Sequence, residues 1–334
     1  MSTAAILGCA GLAPSAAERA FFREADPLGY ILFARNIESP EQVRRLVDDL
    51  RGCAGRADAF VLIDQEGGRV ARLPVPPWRA SPAAGRIGAL YREVPSAGLE
   101  AARLNAGLIA ADLRGLGIDV DCAPVLDLHL PGAHDIIGDR SFGADANAVA
   151  ALGRAACEGF LAGGVLPVIK HVPGHGRATR DSHKALPVVD TARDILADTD
   201  FAPFRALRDM PAAMTAHVVY GAIDPAHPAT VSPTVLRDIV RGAIGFEGLL
   251  IGDDLSMAAL QGDLAARATA ALAAGCDLVL HCNGILDEMA AVAAVCGAPT
   301  ADATARIAAA RARLAAGPYG ALEAGRLKAL LMPG

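Results

Sequence analysis

The sequence predicts a single-domain (β/α)8 TIM barrel with long strand-to-helix loops and extra helices at its C-terminal end. Short apolar runs typical of strands alternate with helical patterns eight times along the 334 residues. The runs are almost continuously apolar, which is typical of parallel strands covered by helices. Helix-to-strand turns are short and contain glycine, whereas strand-to-helix segments are long. This asymmetry favours a barrel over an open sheet and indicates an active site at the carboxyl ends of the strands.

Each strand and helix is predicted from its local hydrophobic pattern. The apolar runs cover residues 4–9, 30–33, 60–63, 118–122, 166–170, 212–217, 249–252 and 277–281. Helical patterns cover 40–50, 96–114, 147–161, 191–208, 233–241 and 264–273, and three more at 287–295, 301–315 and 319–331 follow the eighth strand. The long loops 67–95, 124–145, 171–190 and 218–232 share one rim. No linker or repeat requires a second domain, so we expect residues 1–334 to form one catalytic barrel.

Composition and charge exclude several classes of function. The net charge is −6, with 53% hydrophobic and 20% charged residues, which disfavours nucleic acid and anionic lipid as partners. The seven cysteines include no C-x-x-C pair, so we expect neither a disulfide scaffold nor a zinc ribbon. The N-terminus lacks a basic segment before an apolar one, and apolar runs of 18 residues are interrupted by polar residues. We expect a cytoplasmic monomer without a membrane partner.

Polar residues that follow the third and fourth strands fit a sugar site. Asp64 and Arg72 stand in D-Q-E-G-G-R-V-A-R, directly after the third strand. Carboxylates accept hydrogen bonds from hydroxyl groups, and guanidinium groups donate two to neighbouring oxygen atoms. Arg140, in I-G-D-R-S-F-G, either points into the same site or ties down its loop through Asp139 or Asp135.

The fifth strand ends in Lys170 and His171 and continues into a loop rich in titratable residues. A lysine that ends a buried strand must reach a partner or a ligand, because an unpaired buried ammonium group is very costly. His171 either contacts a ligand or is a satisfied structural residue, and His175, in P-G-H-G, fits a structural or hinge role. In D-S-H, Asp181 and His183 project to the same side of an extended chain. The carboxylate can then orient the imidazole, so His183 is a candidate general acid/base.

Two adjacent acids, Asp253 and Asp254, follow the seventh strand. Neighbouring residues of an extended chain point in opposite directions, so only one of them faces the substrate, and Asp254 can instead cap the following turn. His217, after the sixth strand, lies either in the site or in its support. No H-E-x-x-H, H-x-H, G-x-S-x-G or nucleotide-binding fingerprint occurs. We therefore predict neither a metal nor a cofactor, and a metallohydrolase built on the loop histidines is disfavoured.

Four motifs together resemble those of a known enzyme family. D-Q-E-G-G-R-V-x-R, G-D-R-S-F-G, K-H-x-P-G-H-G followed by D-S-H, and D-D-L-S-M occur in this order between residues 64 and 257. They are similar to the motifs of glycoside hydrolase family 3 β-N-acetylhexosaminidases of the NagZ type. Val172 stands where the family usually has phenylalanine, and the segment 177–180 is more basic than is usual there.

The resemblance implies roles for the predicted site residues. Asp253 would be the nucleophile that forms a glycosyl-enzyme, and His183 paired with Asp181 would be the acid/base. The N-acetylglucosamine unit would be held by Asp64, Arg72, Arg140, Lys170 and His171. Most retaining glycosidases use two carboxylates about 5 Å apart, so a histidine in place of one makes that separation rule inapplicable.

The resemblance also implies a substrate and leaves alternatives open. Family members without a secretion signal remove N-acetylglucosamine from 1,6-anhydro-muropeptides during cell-wall recycling, so a small saccharide or muropeptide is the expected partner. One alternative is a phosphorylase in which phosphate replaces water, because a neutral imidazole beside Asp253 would let an anion approach. Another is a sugar-binding barrel without catalysis. We further expect an unliganded structure to place His183 away from Asp253.

Overall fold

Parallel strands form the wall of a barrel, as predicted. The computed structural model describes residues 2–132, 134–178, 186–314 and 321–332, and within them ten strands occur. They are β1 (Thr3–Leu7), β2 (Pro27–Leu32), β3 (Phe60–Ile63), β4 (Val120–Asp121), β5 (Leu166–Val172), β6 (Val188–Val189), β7 (Ala212–Thr215), β8 (Val219–Tyr220), β9 (Leu249–Ile251) and β10 (Val279–His281). Eight of them build the barrel, and β6 and β8 pair in a small separate sheet.

The eight barrel strands are parallel and adjoin in the order β10-β1-β2-β3-β4-β5-β7-β9. Backbone hydrogen bonds also join the two ends of this order. Gly252 N donates to Leu278 O at 2.9 Å, and Asp277 N donates to Leu250 O at 2.8 Å. The sheet therefore closes on itself, and the carboxyl ends of its strands meet at one rim.

The helices surround this wall and close one end of it. They are α1 (Ala16–Ala25), α2 (Pro40–Ala54), α3 (Ala84–Glu93), α4 (Pro95–Arg114), α5 (Ala146–Ala162), α6 (Arg193–Asp198), α7 (Ala202–Ala206), α8 (Leu264–Ala274), α9 (Leu286–Val295), α10 (Ala301–Ala312) and α11 (Ala321–Leu331). A π-helix, Val235–Ala243, precedes β9, and 3₁₀ turns lie at Ala34–Asn36, Gly138–Arg140 and Ala229–Val231. In the described part of the chain, no helix is both long and apolar enough to cross a membrane.

Alternation along the strands creates two cores. Side chains such as Ile6, Leu62 and Val168 fill the barrel interior, whereas their sequence neighbours Leu7 and Ile63 pack outward against the helices. Successive side chains of a strand point to opposite faces, so an apolar run buried on both faces supplies both cores. Residues of α10 join the interior core from the amino-terminal end of the barrel, which leaves the carboxyl-terminal rim open.

Several predicted elements differ in detail from the structure. The predicted helix 191–208 is two short helices, α6 and α7. Pro203 stands in the first turn of α7, where it prevents one continuous helix, and Asp200 between the two helices accepts a hydrogen bond from Arg177 Nε at 2.6 Å. The predicted loop 67–95 contains α3, and α1 was not predicted. The sixth predicted strand, 212–217, ends at Thr215. The C-terminal helices α9, α10 and α11 confirm the prediction for that part of the chain.

Candidate active site

A cavity of about 450 Å³ opens at the carboxyl ends of the barrel strands. Residues at and after the ends of β3, β4, β5 and β9 supply most of its polar wall, whereas the predicted rim loop 218–232 contributes none of the described lining residues. Six of the predicted site residues lie together there, namely Asp64, Arg72, Arg140, Lys170, His171 and Asp253. The barrel therefore brings residues up to 189 positions apart in sequence (253 − 64) into one site.

Lys170 is the centre of a buried network of charges on one wall of the cavity. Its Nζ donates to Asp64 Oδ1 at 2.8 Å and lies 2.7 Å from Glu66 Oε1. Arg72 Nη2 binds the other Asp64 oxygen at 3.1 Å, and Arg140 donates two hydrogen bonds of 2.9 Å to the Glu66 carboxylate. Each carboxylate thus has two cationic partners, and the buried ammonium group is fully compensated.

The network sets the protonation states of its members. Burial acts to raise the pKa of Asp64, but Lys170 and Arg72 outweigh it and hold this pKa well below its ordinary value. Glu66 behaves in the same way beside Lys170 and Arg140, so its pKa is also lowered. Burial acts to lower the pKa of Lys170, but the two carboxylates raise it above the ordinary lysine value. At neutral pH all these groups are charged, and they present fixed donors and acceptors to the cavity.

Asp127 orients two histidines beside this network. Its carboxylate is fully buried and lies 2.7 Å from His171 Nδ1. The carboxylate also accepts a hydrogen bond from His175 N at 2.6 Å, and the backbone carbonyl oxygen of Asp127 accepts one from Ser141 Oγ at 2.6 Å. An ionised carboxylate only accepts, so His171 carries a proton on Nδ1 and its Nε2 is left for the cavity. Burial lowers the pKa of His175 to about 4, which makes its ring neutral.

Asp253 follows β9 and lines the same cavity. Burial acts to raise its pKa, but His217 and His171, the Asp254 N–H and Lys170 together hold the pKa below its ordinary value. Asp253 is therefore ionised at neutral pH. Asp254 also lines the cavity, and its carboxylate accepts hydrogen bonds from Ser256 N and Cys282 N, both at 3.1 Å. Asp254 caps the turn, as predicted, but both acids line the cavity, contrary to the expectation that only one of them would face it.

A chain of hydrogen bonds holds the Asp253–Asp254 turn in place. His217 Nε2 lies 3.0 Å from the Asp254 carbonyl oxygen, which can only accept, so Nε2 carries the proton. Burial lowers the pKa of His217, so its neutral ring accepts at Nδ1 from the Thr230 hydroxyl, 2.7 Å away. Thr230 accepts from Thr215 at 2.7 Å, and Thr215 accepts from Asp253 N at 3.3 Å. His217 is thus a positioning residue. Of the two roles that the sequence allowed for it, the structure favours support of the site.

The proposed proton-transfer pair, Asp181 and His183, lies outside the described residues. The preceding residues are tightly held: Tyr220 Oη donates to Gly174 O at 2.6 Å, and a Cβ on Gly176 would lie 2.2 Å from Leu128 O. Only glycine permits that approach at residue 176. After the undescribed residues, β6 pairs with β8. The roles of Asp181 and His183 therefore stay predictions, as does the expected displacement of His183.

Two residues of the site, Glu66 and Asp127, were not predicted from the sequence. The structure also decides between the two roles that the sequence allowed for Arg140. Glu66 stands two residues after Asp64, a spacing that puts both side chains on one side of an extended chain and could have identified it. Asp127 follows an apolar run and carries no such signal. Arg140 points into the cavity instead of binding Asp135 or Asp139, because Arg69 pairs with both of those acids. Among the described residues, no group of three or more His, Cys, Asp or Glu is placed to hold a metal ion.

Comparison with known proteins assigns the chain to a family. Residues 7–316 match the glycosyl hydrolase family 3 N terminal domain. A β-hexosaminidase from Bordetella avium (strain 197N) is 42% identical over 260 residues, which are 76% of this chain and 73% of the relative. The fold is similar to that of native NagZ from Neisseria gonorrhoeae, with a TM-score of 0.87 and 33% identity over 99% of this chain and 98% of that chain. A second structure of that protein holds N-trifluoroacetyl-D-glucosamine and matches with a TM-score of 0.86, 32% identity, and 99% and 97% coverage.

Proposed function

The chain belongs to glycoside hydrolase family 3, and we propose that it is a retaining exo-β-N-acetylglucosaminidase. The observation that carries this proposal is the position of Asp253, which is ionised and lines the same cavity as Asp64, Lys170 and Arg140. A sugar bound to those three residues would present its anomeric carbon to a carboxylate. The family resemblance and the geometry of the described residues thus support the same chemistry.

In the proposed mechanism, an Asp253 oxygen attacks the anomeric carbon and the glycosidic bond breaks. The proton that the leaving oxygen takes up comes from His183, which Asp181 orients. Water then attacks the glycosyl-enzyme, His183 takes one of its protons, and the Asp253 carboxylate is released. Two displacements at the same carbon give overall retention of configuration. The low pKa of Asp253 suits this role, because only the ionised carboxylate is a nucleophile.

We propose that the charged wall binds the hydroxyl and acetamido groups of N-acetylglucosamine. The two oxygen atoms of Asp64 each engage one cation, yet a carboxylate has about four acceptor positions, so positions remain for sugar hydroxyl groups. Arg72, Arg140 and Lys170 keep further N–H groups for sugar oxygen atoms. His171 offers Nε2 because Asp127 holds its Nδ1. The complex of the Neisseria protein with a glucosamine derivative supports a sugar of this type.

We further propose a cytoplasmic role in peptidoglycan recycling, with 1,6-anhydro-muropeptides as substrates. This part rests on the resemblance to NagZ-type enzymes. Comparing kcat/KM for a chitobiose fragment with that for an anhydro-muropeptide tests it. A preference for the muropeptide is expected, and equal values or a preference for chitobiose would contradict the role in recycling.

Turnover of 4-nitrophenyl N-acetyl-β-D-glucosaminide tests the activity itself. We expect release of nitrophenol and of N-acetylglucosamine, with the β-anomer as the first product by NMR. The reaction is repeated with phosphate and with EDTA. A sugar 1-phosphate as main product would replace hydrolysis by phosphorolysis, and loss of activity with EDTA would indicate a metal-dependent mechanism. An inactive wild-type protein would support the non-catalytic alternative.

A further inference from the structure

Asp121 is a buried acid that the proposed mechanism does not use. It ends β4 and has no exposed surface. Its neighbours Val120 and Cys122 belong to the core inside the barrel, so the Asp121 side chain lies on the outer face, beneath the helices. Asp121 does not line the active-site cavity. Any influence on the site must therefore pass through the residues that it contacts.

Asp121 binds Gln65, which stands between two carboxylates of the charged wall around Lys170. Gln65 N donates to Asp121 Oδ1 at 2.9 Å. Gln65 is buried and does not line the cavity, whereas its neighbours Asp64 and Glu66 both line it. Side chains alternate along an extended chain, so the cavity lies on one side of this segment and Gln65 on the other. The hydrogen bond to Asp121 thus fixes the backbone that carries both carboxylates.

The side chain of Gln65 closes the loop that follows β3. Its Oε1 accepts from Arg72 N at 2.8 Å and from Leu73 N at 3.1 Å. The Arg72 guanidinium group then reaches back to Asp64 Oδ2 at 3.1 Å. One chain of contacts therefore leads from Asp121 to three members of the charged wall.

The surroundings of Asp121 keep its carboxyl group neutral at pH 7. Burial raises its pKa to about 8, and the charges of Asp64 and Glu66 act in the same direction, whereas the Gln65 N–H and Lys170 act against them. Oδ2 has no hydrogen-bond partner among the described residues, so Oδ1 is the acceptor that matters for the loop. Asp121 thus supplies one neutral acceptor, which the amide oxygen of an asparagine can replace.

We propose that Asp121 is a positioning residue for sugar binding. It holds Gln65 and, through Gln65, the loop that carries three residues of the charged wall. This inference rests on the proposed glycosidase function and adds a residue that acts from outside the cavity. Without the acceptor, the buried Gln65 N–H would be unpaired, and the loop would shift to reach another partner. Binding of the sugar should then suffer more than the chemical step at Asp253.

Calorimetric titration with N-acetylglucosamine measures the effect on binding without turnover. Asp121→Ala should raise the dissociation constant about tenfold, as expected for one lost buried hydrogen bond. In kinetics with the aryl glycoside, KM should rise while kcat stays within about twofold of the wild-type value. Asp121→Asn keeps the acceptor and should bind as the wild type does. Weak binding by Asp121→Asn, or wild-type binding by Asp121→Ala, would overturn the proposal.

Asp119→Ala is the matched control, because it removes the same kind of acceptor two residues earlier in the chain. Asp119 Oδ1 accepts from Val61 N at 2.8 Å, within β3 instead of after its end, and Oδ2 binds Arg51 at 3.0 Å. This variant should lose stability in urea unfolding yet bind N-acetylglucosamine as the wild type does. A loss of affinity equal to that of Asp121→Ala would contradict a specific role for Asp121.

Hydrogen exchange of the peptide 64–73 is a second measurement that does not depend on a sugar. Its amide groups should exchange faster in Asp121→Ala than in Asp119→Ala or Asp121→Asn, because the bonds that hold the loop are lost only there. Exchange at the wild-type rate in Asp121→Ala would refute the positioning role. If the wild-type protein binds no N-acetylglucosamine, the glycosidase function fails while the exchange rates still decide the role of Asp121.

Gln65→Ala takes the place of Asp121→Ala if that variant does not fold. It removes the acceptor for Arg72 N and Leu73 N and leaves Asp121 in place. The same rise in the dissociation constant and the same faster exchange are expected. Wild-type values in both measurements would overturn the proposal.

Discussion

Asp64 and Asp277 stand at opposite ends of the barrel, and each binds two cations. Asp277, before β10, accepts from Arg241 at 2.9 Å, Arg306 at 2.7 Å and the Leu250 N–H at 2.8 Å. These bonds fasten β9 and β10 to the π-helix and to α10. Asp64, after β3, binds Lys170 and Arg72 but also faces the cavity of about 450 Å³. Ion pairs alone thus do not distinguish a stabilising contact from a binding site. A cavity of similar volume lies beside Arg306 at the other end, but Asp277 does not line it, whereas the Asp64 carboxylate lines its own cavity.

The largest expected effect tests which end of the barrel carries the chemistry. Asp253→Asn should lower kcat for the aryl glycoside on the order of 10⁴-fold, because the amide is not a nucleophile. The side chain makes few bonds in the fold, so the thermal midpoint should change little. Wild-type turnover in this variant would refute the nucleophile assignment.

The second largest effect is expected when the buried ammonium group of Lys170 is removed from the cavity wall. Lys170→Met should destabilise the fold by about 3 kcal/mol, near the lower end for breaking a buried pair, because Arg72 and Arg140 still compensate Asp64 and Glu66. Activity should fall as well, since the sugar-binding wall loses its centre. Urea unfolding measures the first effect and aryl glycoside kinetics the second. A loss of stability with unchanged kcat/KM would show that the Lys170 network only stabilises the fold.

Asp277→Asn is the matched change at the other end of the barrel. It should destabilise the fold by about 2 kcal/mol, less than the change at Lys170 because Arg241 and Arg306 are 21% and 28% exposed and regain water. The kcat and KM of the folded variant should stay close to those of the wild type. A large fall in kcat at 25 °C, with the protein fully folded by circular dichroism, would contradict the view that Asp277 contributes to stability alone.

The smallest effect concerns the orientation of His171. Asp127→Asn should lower kcat/KM about tenfold, because the amide can donate to Nδ1 and so moves the imidazole proton to the Nε2 that faces the sugar. Some stability should be lost too, since His175 N shares this carboxylate. Kinetics with the aryl glycoside measure the first effect. An unchanged kcat/KM would mean that the tautomer of His171 does not matter for binding.

Much of the fold and part of the site were predictable from local patterns. The eight apolar runs correspond to the eight barrel strands, and the asymmetry of loop lengths indicated the rim at which the cavity opens. Less predictable were elements that depend on distant contacts. Asp200, between α6 and α7, binds the distant Arg177, and β6 and β8 are two-residue strands that exist only because they pair. Such contacts leave no periodic signal in the chain.

By itself, the sequence determined the parallel barrel, the rim at which the cavity opens and the acids and bases that follow its strands. These properties depend on hydrophobic period and on position relative to a strand, and both are local. Only the tertiary structure decided which partners those side chains take: Glu66 completes the Lys170 network, Asp127 holds His171, and His217 supports the turn at Asp253. A carboxylate or an imidazole has the same local signal whether it binds substrate or a neighbour. Its role follows from the groups and the open space that folding brings within a few ångströms of it.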